Sequence, residues 1–311
     1  MPAPPLLRDI LQCPACHGGA LDHALSCPNC AVQYSNIAGR PILFTPGNDL
    51  FSAADYADAR PDEAIGAQRK SSLTGLSVNL SVDRMIAKLL AALGDVPGVI
   101  LMVGGGRQRG WLDPMLMATV AHRVIYCDVD KWADVDVFCD AHDLPFVSGF
   151  ADAVIQTAVL EHVMDPARVA TEMARVVKSG GYIYSELPFM QQVHEGAYDF
   201  TRFTLGGHRR LFNQFAEIET GMVAGPATAL LWAIENFALA FSGRVGVRRM
   251  LKGMVRVLFG WIKYFDHLLA DKPQAMDAAS CTYFFGRRSD VMRSDADIIA
   301  AYRGRKHVEH V

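Results

Sequence analysis

The sequence predicts an α/β fold in which a doubly wound sheet follows a small cysteine-rich module. Three observations indicate this organisation. From residue 99 onward, short buried apolar runs alternate with amphipathic helical stretches, which is typical of a sheet covered by helices on both faces. Four of the seven cysteines fall within residues 13–30. The length of 311 residues suits one large domain with a small companion.

Composition and charge exclude several classes of protein. The chain has 30 basic and 33 acidic residues, a net charge of −3, whereas a generic nucleic-acid binder carries a basic excess. A hydrophobic share of 51% excludes global disorder. The first residues lack the pattern of a secretory signal, and the longest apolar stretch, Thr228–Phe241, contains Glu235 and is shorter than the ~18 residues of a membrane span. We therefore expect a soluble, cytoplasmic protein.

The clustered cysteines form two Cys-x-x-Cys knuckles separated by ten residues, Cys13/Cys16 and Cys27/Cys30. Each knuckle presents two thiolates at one corner of a tetrahedron, which is the donor set that Zn²⁺ prefers. A pair of disulfides is the alternative, but a cytoplasmic chain is kept reduced. Four cysteines leave no open coordination position, so the predicted zinc is structural and supplies folding energy to a module too short for its own core.

The second knuckle continues into a longer motif. It reads Cys27-x-x-Cys30-x-x-x-Tyr34, followed by Ile37-x-Gly39-x-Pro41-Ile42-Leu43. Over residues 11–44 this pattern resembles the zinc-ribbon proteins that serve as partner subunits of methyltransferases, and similar ribbons occur fused to methyltransferase domains. The resemblance implies a zinc ribbon and a protein partner for it.

The remaining elements can be placed in chain order. The predicted strands are Val99–Val103, Arg123–Cys127, Val135–Cys139, Asp152–Thr157, Tyr182–Leu187, Ala216–Val223 and Thr282–Phe285. The predicted helices are 82–93 capped by Ser81, 111–120, one that begins at Pro166 after Asp165 and is ended by Gly180-Gly181, and 204–215. We place the ribbon at 1–45, a linker at 46–80, the α/β domain at 81–290 with a helical insert at 226–272, and a tail at 291–311.

The turn after the first strand of the α/β domain has the composition of a ligand-binding loop. Gly104-Gly-Gly106 lets a ligand approach the backbone at the start of a helix, and Asp128, 24 residues after Gly104, ends the next strand where a carboxylate can bind ribose. A tight strand-to-helix turn without a ligand is the alternative. Arg109 replaces the third glycine of a dinucleotide fingerprint, which favours a nucleoside ligand without a pyrophosphate.

Five consecutive motifs carry a stronger resemblance. They are Asp140-Ala-His-Asp-Leu-Pro-Phe146, Phe150-Ala-Asp152, Val159-Leu-Glu-His162-Val, Asp165-Pro166 and Val177-Lys-x-Gly-Gly181. In order and spacing, residues 99–187 resemble class I S-adenosylmethionine methyltransferases of the small-molecule type. The resemblance implies a Rossmann-like seven-stranded methyltransferase sheet and S-adenosyl-L-methionine as the methyl donor.

The same resemblance assigns the cofactor contacts. Gly104 and Gly106 would face the methionine part, Asp128 the ribose, and Asp140 with Ala141 the adenine. Thr157, Ala158 and the orienting residue His162 would flank the cofactor. One position departs from the family, because Met102 stands where an acid usually lies two residues before the first glycine. A non-catalytic scaffold with a degenerate cofactor pocket is therefore an alternative.

The segment after the fifth strand is expected to hold the acceptor, because such sheets bind ligands beyond the carboxyl ends of their strands. Methyl transfer requires the acceptor to be aligned and, for a hydroxyl, deprotonated. We name His194, Tyr198 and Asp199 as candidate catalytic groups, and Glu195 and Arg202 as candidate acceptor contacts. A structural Asp199–Arg202 pair on an ordinary polar loop is the alternative. The run 198–204 resembles methyltransferases of glycan and cell-surface polysaccharide enzymes.

The helical insert contains six basic residues and no acid between Arg244 and Tyr264. On a helical wheel, Arg249, Lys252, Arg256 and Lys263 lie on one arc and apolar residues such as Met254 and Trp261 on the other. Such a helix can lie on an anionic membrane surface, so peripheral membrane contact through 244–265 is one interpretation. A lid helix that packs its apolar face on the domain is the alternative.

Together these features predict a methyltransferase that modifies a small-molecule or glycan-type acceptor, with O-methylation preferred. A ribosomal RNA methyltransferase with a zinc finger is the first alternative, since such fusions also exist. The acidic net charge and the scarcity of Lys and Arg in the ribbon argue against a nucleic-acid partner without excluding one.

Overall fold

The computed structural model describes residues 7–59, 75–106 and 121–304. The predicted helix at 111–120, Arg109, most of the second half of the linker and the end of the tail lie outside the described residues. All structural statements below concern the described ranges.

A single mixed sheet forms the centre of the molecule. Its strands are β1 (Ser35–Ile37), β2 (Arg40–Leu43), β3 (Gly98–Val103), β4 (His122–Asp128), β5 (Val137–Cys139), β6 (Ala151–Thr157), β7 (Val177–Pro188), β8 (Phe215–Ala224) and β9 (Cys281–Arg288). Their order is β1-β2-β5-β4-β3-β6-β7-β9-β8. The strands from β2 to β7 in this order run parallel, whereas β1 is antiparallel to β2 and β9 is antiparallel to both β7 and β8.

Helices cover both faces of this sheet. They are α1 (Leu7–Ile10), α2 (Val82–Leu93), α3 (Pro166–Val176), α4 (Leu205–Leu211), α5 (Pro226–Leu239), α6 (Val245–Phe259), α7 (Asp266–Leu269), α8 (Pro273–Met276) and α9 (Asp295–Ala300). Along β3, Leu101 packs in the apolar cluster that includes Met173 of α3, whereas Ile100 packs in the opposite cluster with Met85 of α2. The continuous apolar run of β3 is thus explained by burial on both faces. The predicted α/β fold is confirmed, and all seven predicted strands are present.

The ribbon extends the predicted seven-stranded sheet to nine strands. Its hairpin β1–β2 lies at the sheet edge, where Leu43 of β2 pairs with Cys139 of β5, 96 positions further along the chain. The backbone N–H of Gln12 also donates to the carbonyl of Pro145 at 2.9 Å. The Gly-x-Pro-x-Leu motif after the cysteines is therefore the strand that joins the ribbon to the central sheet.

The described part of the expected linker is packed against the domain. Residues 53–56 form a 3₁₀ helix whose Tyr56 is buried. The Tyr56 ring lies 5.2 Å, centroid to centroid, from both Phe44 and Phe138. Aromatic packing thus fixes residues 46–59 beside the carboxyl end of β5.

Two predicted helices end earlier than expected. The helix expected to run to Gly180-Gly181 ends at Val176, because Val177 already pairs with Ala151 of β6. The helix expected over 204–215 ends at Leu211, because Phe215 already begins β8. In both cases, strand pairing that is distant in sequence overrides the local helical pattern.

The insert between β8 and β9 is anchored by one buried carboxylate. Asp266 accepts hydrogen bonds from the backbone N–H groups of Gly225, Ala227 and Thr228 at 2.8–3.0 Å, which places its charge at the N-terminus of α5. None of the helices in the described ranges combines the length and apolarity needed to cross a bilayer.

Candidate functional site

A pocket opens at the carboxyl ends of the central strands. It lies where the strand order reverses, since β3 has β4 on one side and β6 on the other. Open α/β sheets bind ligands at this position. The pocket is lined by Leu50, Phe51, Val103, Gly104, Cys127, Asp128, Val129, Cys139, Asp140, Ala141, His142, Val159, His162, Val163, Met164, Tyr198 and Phe200.

The glycine turn after β3 has a backbone shape that only glycine adopts easily. Gly104 and Gly106 have φ values of +73° and +61°. A Cβ on Gly104 would lie 2.2 Å from Cγ2 of Val159, so no side chain fits there. The backbone N–H of Gly106 donates to Oδ2 of Asp128 at 2.6 Å. The turn thus joins the end of β3 to the expected ribose carboxylate. Its other two N–H groups, of Gly104 and Gly105, donate to the carbonyl of Cys127.

Asp128 ends β4 and is held by the backbone. Besides Gly106, the N–H of Asp130 donates to its Oδ1 at 2.9 Å. Burial raises the pKa of Asp128. A buried carboxylate at this edge of the sheet fits the two hydroxyls of a ribose, which can supply further donors to it.

Asp140 follows β5 and is oriented by two neighbours. His142 accepts from the backbone N–H of Asp165 through Nε2 at 3.1 Å, so its Nδ1–H donates to Oδ1 of Asp140 at 2.6 Å. The side-chain amide of Asn48 donates to Oδ2 of Asp140 at 2.7 Å. Burial opposes ionisation of Asp140, but the hydrogen bonds from His142 outweigh it and lower its pKa. Ala141 lines the pocket beside this carboxylate.

Thr157 is the last residue of β6 and Ala158 follows it. Neither residue lines the pocket. Ala158 has a φ of +57°, and its backbone N–H donates to the carbonyl of Glu186 at 3.1 Å. This turn directs Val159 into the pocket. Met102 is 4% exposed and packs with Tyr184 in the apolar cluster on the α2 face of the sheet, so it acts as a core residue in this structure.

Two histidines connect the pocket to the segment that follows β7, residues 189–204, which we call the acceptor loop. Nδ1–H of His162 donates to the backbone carbonyl of Tyr198 at 2.6 Å. The rings of His162 and His194 meet edge to face with centroids 4.9 Å apart. The structure thus brings together His162, His194 and Tyr198, which the sequence places on two separate segments, while Glu195 is exposed at the start of a short 3₁₀ turn.

Asp199 and Arg202 brace the loop internally. Arg202 contacts both carboxylate oxygens of Asp199, one of them at 2.9 Å, and its Nε donates to the carbonyl of Gln191 at 2.8 Å. The backbone N–H of His194 donates to Asp199 at 2.8 Å. Burial opposes ionisation of Asp199, but the hydrogen bonds from Arg202 and His194 outweigh it and hold its pKa well below the usual range. This is the structural pair that the sequence analysis kept as the alternative.

Glu161 is a candidate site residue that was not predicted from the sequence. It precedes His162 in the Val159–Val163 motif, which was interpreted through the histidine alone. Its side chain is fully buried, and both carboxylate oxygens lack a hydrogen-bond partner within the described residues. Burial raises the pKa of Glu161 to about 8. An apolar or neutral residue would satisfy this environment better, so the acid indicates a function. Asn48, Leu50 and Phe51 of the expected linker were missed as well.

The four ribbon cysteines converge on one point. Their sulfur atoms all lie within 4.8 Å of one another, with Cys13–Cys30 at 3.6 Å and Cys16–Cys27 at 3.5 Å. Four thiolates bound to one Zn²⁺ at about 2.3 Å lie about 3.8 Å apart. All four cysteines are free thiols, so the disulfide alternative is not observed, and the donor set fits a tetrahedral zinc site.

Part of the chain matches a known protein family. Residues 103–185 match the family described as a methyltransferase domain. This segment runs from the end of β3 through β7 and contains the glycine turn, Asp128, Asp140 and His162. No curated protein matches the chain.

Solved structures resemble the chain only distantly. A structure described as a sarcosine dimethylglycine methyltransferase of Galdieria sulphuraria is 13% identical, with 70% of this chain and 94% of that chain covered and a TM-score of 0.44. A phosphoethanolamine N-methyltransferase of Haemonchus contortus is 14% identical, with 67% and 53% covered and a TM-score of 0.44. The complex of the Trm112 methyltransferase activator of Haloferax volcanii with a methyltransferase is 18% identical, with 66% and 88% covered and a TM-score of 0.40.

At TM-scores below 0.5, these likenesses carry no inference about the acceptor. The family match covers most of the residues that line the pocket, among them Gly104 and the carboxylates of Asp128 and Asp140. Over residues 103–185 the chain therefore contains a methyltransferase domain.

Proposed function

We propose that the protein transfers a methyl group from S-adenosylmethionine to a hydroxyl of a small-molecule or glycan-type acceptor. The observation that carries the proposal is the approach of His194, on the acceptor loop, to His162, which lines the cofactor pocket. This approach puts a titratable side chain beside the pocket, where an acceptor hydroxyl would meet the methyl group.

The cofactor contacts follow from the strand ends. We assign the methionine part to Gly104 and Gly106, the ribose to Asp128, and the adenine to Asp140 with Ala141. Thr157 and Ala158 would affect the cofactor indirectly, because they position Val159, which lines the pocket. His162 orients the site, because its ring is fixed by the carbonyl of Tyr198. A nucleoside with a sulfonium side chain fits these groups, and Gly104 lines the pocket where its methionine part would lie.

The transfer itself is an in-line displacement. The acceptor oxygen attacks the methyl carbon, the carbon–sulfur bond breaks with its electron pair remaining on sulfur, and the acceptor proton passes to a base. We propose His194 as that base, with Tyr198 and Glu195 as contacts of the acceptor. Asp199 and Arg202 satisfy each other, so we assign them to positioning His194 rather than to proton transfer or to clamping an anion.

The ribbon is proposed to hold one structural Zn²⁺ through Cys13, Cys16, Cys27 and Cys30. Its contacts are with the chain's own sheet at β5, which supports a role within this molecule rather than recruitment of a separate partner.

The helical insert supports a lipid-linked or membrane-associated acceptor. Its basic arc faces inward in part, since Arg256 pairs with Glu235 and Lys263 donates to the carbonyl of Gly75. Its apolar arc is outward, with Val257 82% and Trp261 58% exposed. This arrangement differs from the packed-lid alternative, and we propose that the apolar arc contacts an anionic membrane surface.

The test of the proposed function is methyl transfer from labelled S-adenosylmethionine to glycan acceptors and, in parallel, to ribosomal RNA. Calorimetry first measures binding of S-adenosylmethionine and S-adenosylhomocysteine to the wild type and to Asp128→Ala, with the exposed Asp295→Ala as control. Methylation of glycans alone supports the proposal. Methylation of RNA alone would replace it with the RNA alternative, and absence of cofactor binding in the folded wild type would refute it.

A further inference from the structure

Three side chains converge beside the cofactor pocket without forming a hydrogen-bonded group. Glu161, His162 and His194 each place a ligand atom within 4.8 Å of the others. Oε1 of Glu161 and Nε2 of His162 lie 3.7 Å apart, too far for a hydrogen bond. Donors bound at about 2.1 Å to one metal ion lie about 3.0 to 3.5 Å apart, so the Glu161–His162 pair is already close to that spacing, and the three donors would have to draw together to share an ion.

Nδ1 of each histidine lies within hydrogen-bond distance of a backbone carbonyl. Nδ1–H of His162 donates to the carbonyl of Tyr198 at 2.6 Å, and Nδ1–H of His194 donates to the carbonyl of Gln192 at 3.2 Å. A guanidinium nitrogen of Arg202 also lies 3.5 Å from Nδ1 of His194, but the carbonyl of Gln192 is closer, and we assign the proton of His194 to Nδ1 on that ground. With this tautomer, each ring keeps the lone pair of Nε2 for another partner. Metal-binding histidines are oriented in this way, with the second nitrogen fixed by a carbonyl or carboxylate.

The carboxylate of Glu161 supplies the independent observation. It is fully buried, and within the described ranges neither oxygen has a hydrogen-bond partner. A buried carboxylate without a partner is costly, and a cation removes that cost. Arg202, whose charge acts on Glu161, is occupied by Asp199 and by loop carbonyls.

We propose that Glu161, His162 and His194 bind a divalent transition-metal ion at the junction of the cofactor pocket and the acceptor loop. Two imidazoles and one carboxylate suit ions such as Co²⁺, Fe²⁺ or Zn²⁺ and leave coordination positions open. This site is distinct from the four-cysteine cluster, whose donors are all sulfur. Its role toward the acceptor rests on the proposed function: the open positions would hold an oxygen atom of the acceptor near the methyl group. With the ion bound, His194 would be a ligand and would not take the acceptor proton. The ion would instead lower the pKa of the acceptor hydroxyl, and the proton would pass to solvent.

The test adds Co²⁺ to the zinc-loaded full-length protein. We expect one Co²⁺ per chain, with the visible absorption of nitrogen and oxygen ligands and without thiolate-to-cobalt charge transfer. Calorimetry should show at least tenfold weaker binding to Glu161→Gln and to His194→Asn. His267→Asn, an exposed histidine of α7, should bind as the wild type does. The loop variant His194→Asn carries the test if Glu161→Gln does not fold.

The outcomes separate this site from the proposed function. A thiolate spectrum alone, no bound Co²⁺, or equal affinity in the wild type and both cluster variants would overturn the metal site. Binding of S-adenosylmethionine is measured on the same samples as a readout of the folded pocket. Normal cofactor binding without Co²⁺ binding refutes the metal site alone, whereas Co²⁺ binding without methylation of any hydroxyl acceptor refutes the proposed function alone.

Discussion

The amide of Asn48 donates a 2.7 Å hydrogen bond to the carboxylate of Asp140. This contact connects the segment that follows the ribbon to the carboxylate assigned to adenine. We expect Asn48→Ala to weaken S-adenosylmethionine binding about threefold to tenfold, because one hydrogen bond is worth roughly 0.5–1.5 kcal/mol. Calorimetry measures the change, and the exposed Asn36→Ala is the matched control. Equal affinities in the two variants would show that Asn48 does not position Asp140.

The turn at Gly104 should be intolerant of any side chain. Gly104→Ala adds both the strain of a φ of +73° and a 2.2 Å contact with Val159. Gly39→Ala is the matched control, since its φ is +77° but no atom lies within 4 Å of the added Cβ. We expect Gly39→Ala to lower the free energy of unfolding by about 1–2 kcal/mol. Gly104→Ala should lose more and should bind the cofactor at least tenfold more weakly. Equal losses in denaturant unfolding would exclude the clash with Val159.

Removal of the ribbon metal should destabilise the whole domain. Cys30→Ser breaks the four-sulfur set, and loss of a structural metal costs more than about 4 kcal/mol in unfolding free energy. Because β2 pairs with β5, we also expect weaker cofactor binding. Zinc content by mass spectrometry and denaturant unfolding measure both effects, with the distant Cys281→Ser as control. A variant that loses zinc but keeps its stability would contradict the predicted structural role.

Acid should weaken the fold through His208. This ring is buried between Ser185 and Thr282, at 2.8 and 3.1 Å, and burial lowers its pKa from 6.5 to about 3. The unfolded chain therefore binds a proton near pH 6.5 that the folded protein does not accept until about pH 3. Stability from this group is complete above pH 6.5 and is lost as the pH falls toward 3, with a slope of at most about 1.4 kcal/mol per pH unit.

Replacing His208 with Gln should reduce that slope, because glutamine keeps polar contacts and does not titrate. Denaturant unfolding between pH 4 and pH 8 measures the slope for both proteins, as far as the folded state persists. An unchanged slope in His208→Gln would assign the acid sensitivity to other groups.

The exposed apolar face of α6, which includes Val257, should be required for binding to membranes. Val257→Glu places a negative charge on the outward face, where we expect at least fivefold weaker sedimentation with vesicles of anionic phospholipid. Val291→Glu is the control, since Val291 is 76% exposed and lies outside the insert. No binding of the wild type, or equal binding of the two variants, would show that the arc does not contact lipid.

Local signals in the sequence identify most of the sheet. The strands β3, β4 and β6 lie within one residue of their predicted bounds, because apolar runs between turns define them. The predicted C-terminal ends of α3 and α4 were wrong, because Val177 and Phe215 pair with distant strands and so end these helices early. For the same reason, nothing local to Leu43 shows that it pairs with Cys139.

In the candidate site, too, the residues that local sequence identifies were predicted, and those that depend on distant contacts were not. The glycine turn, Asp128 and Asp140 are found from their positions after strands. Glu161 could not be predicted, because the burial of its carboxylate without a hydrogen-bond partner depends on tertiary packing. That packing includes the contact of His162 with Tyr198, 36 residues further along the chain. A helical wheel separates the basic and apolar arcs of α6, but the position of Glu235 decides which arc faces inward.

The pairing of β2 with β5 also has a consequence for biosynthesis. The ribbon leaves the ribosome before the strand that it must join, since Cys139 of β5 is made 96 positions after Leu43 of β2. During that interval β2 is an open strand edge, which is the kind of surface that promotes aggregation. Only the short β1 covers one side of it. Cellular zinc supply during translation should therefore influence the yield of folded protein more strongly than zinc supplied after synthesis is complete.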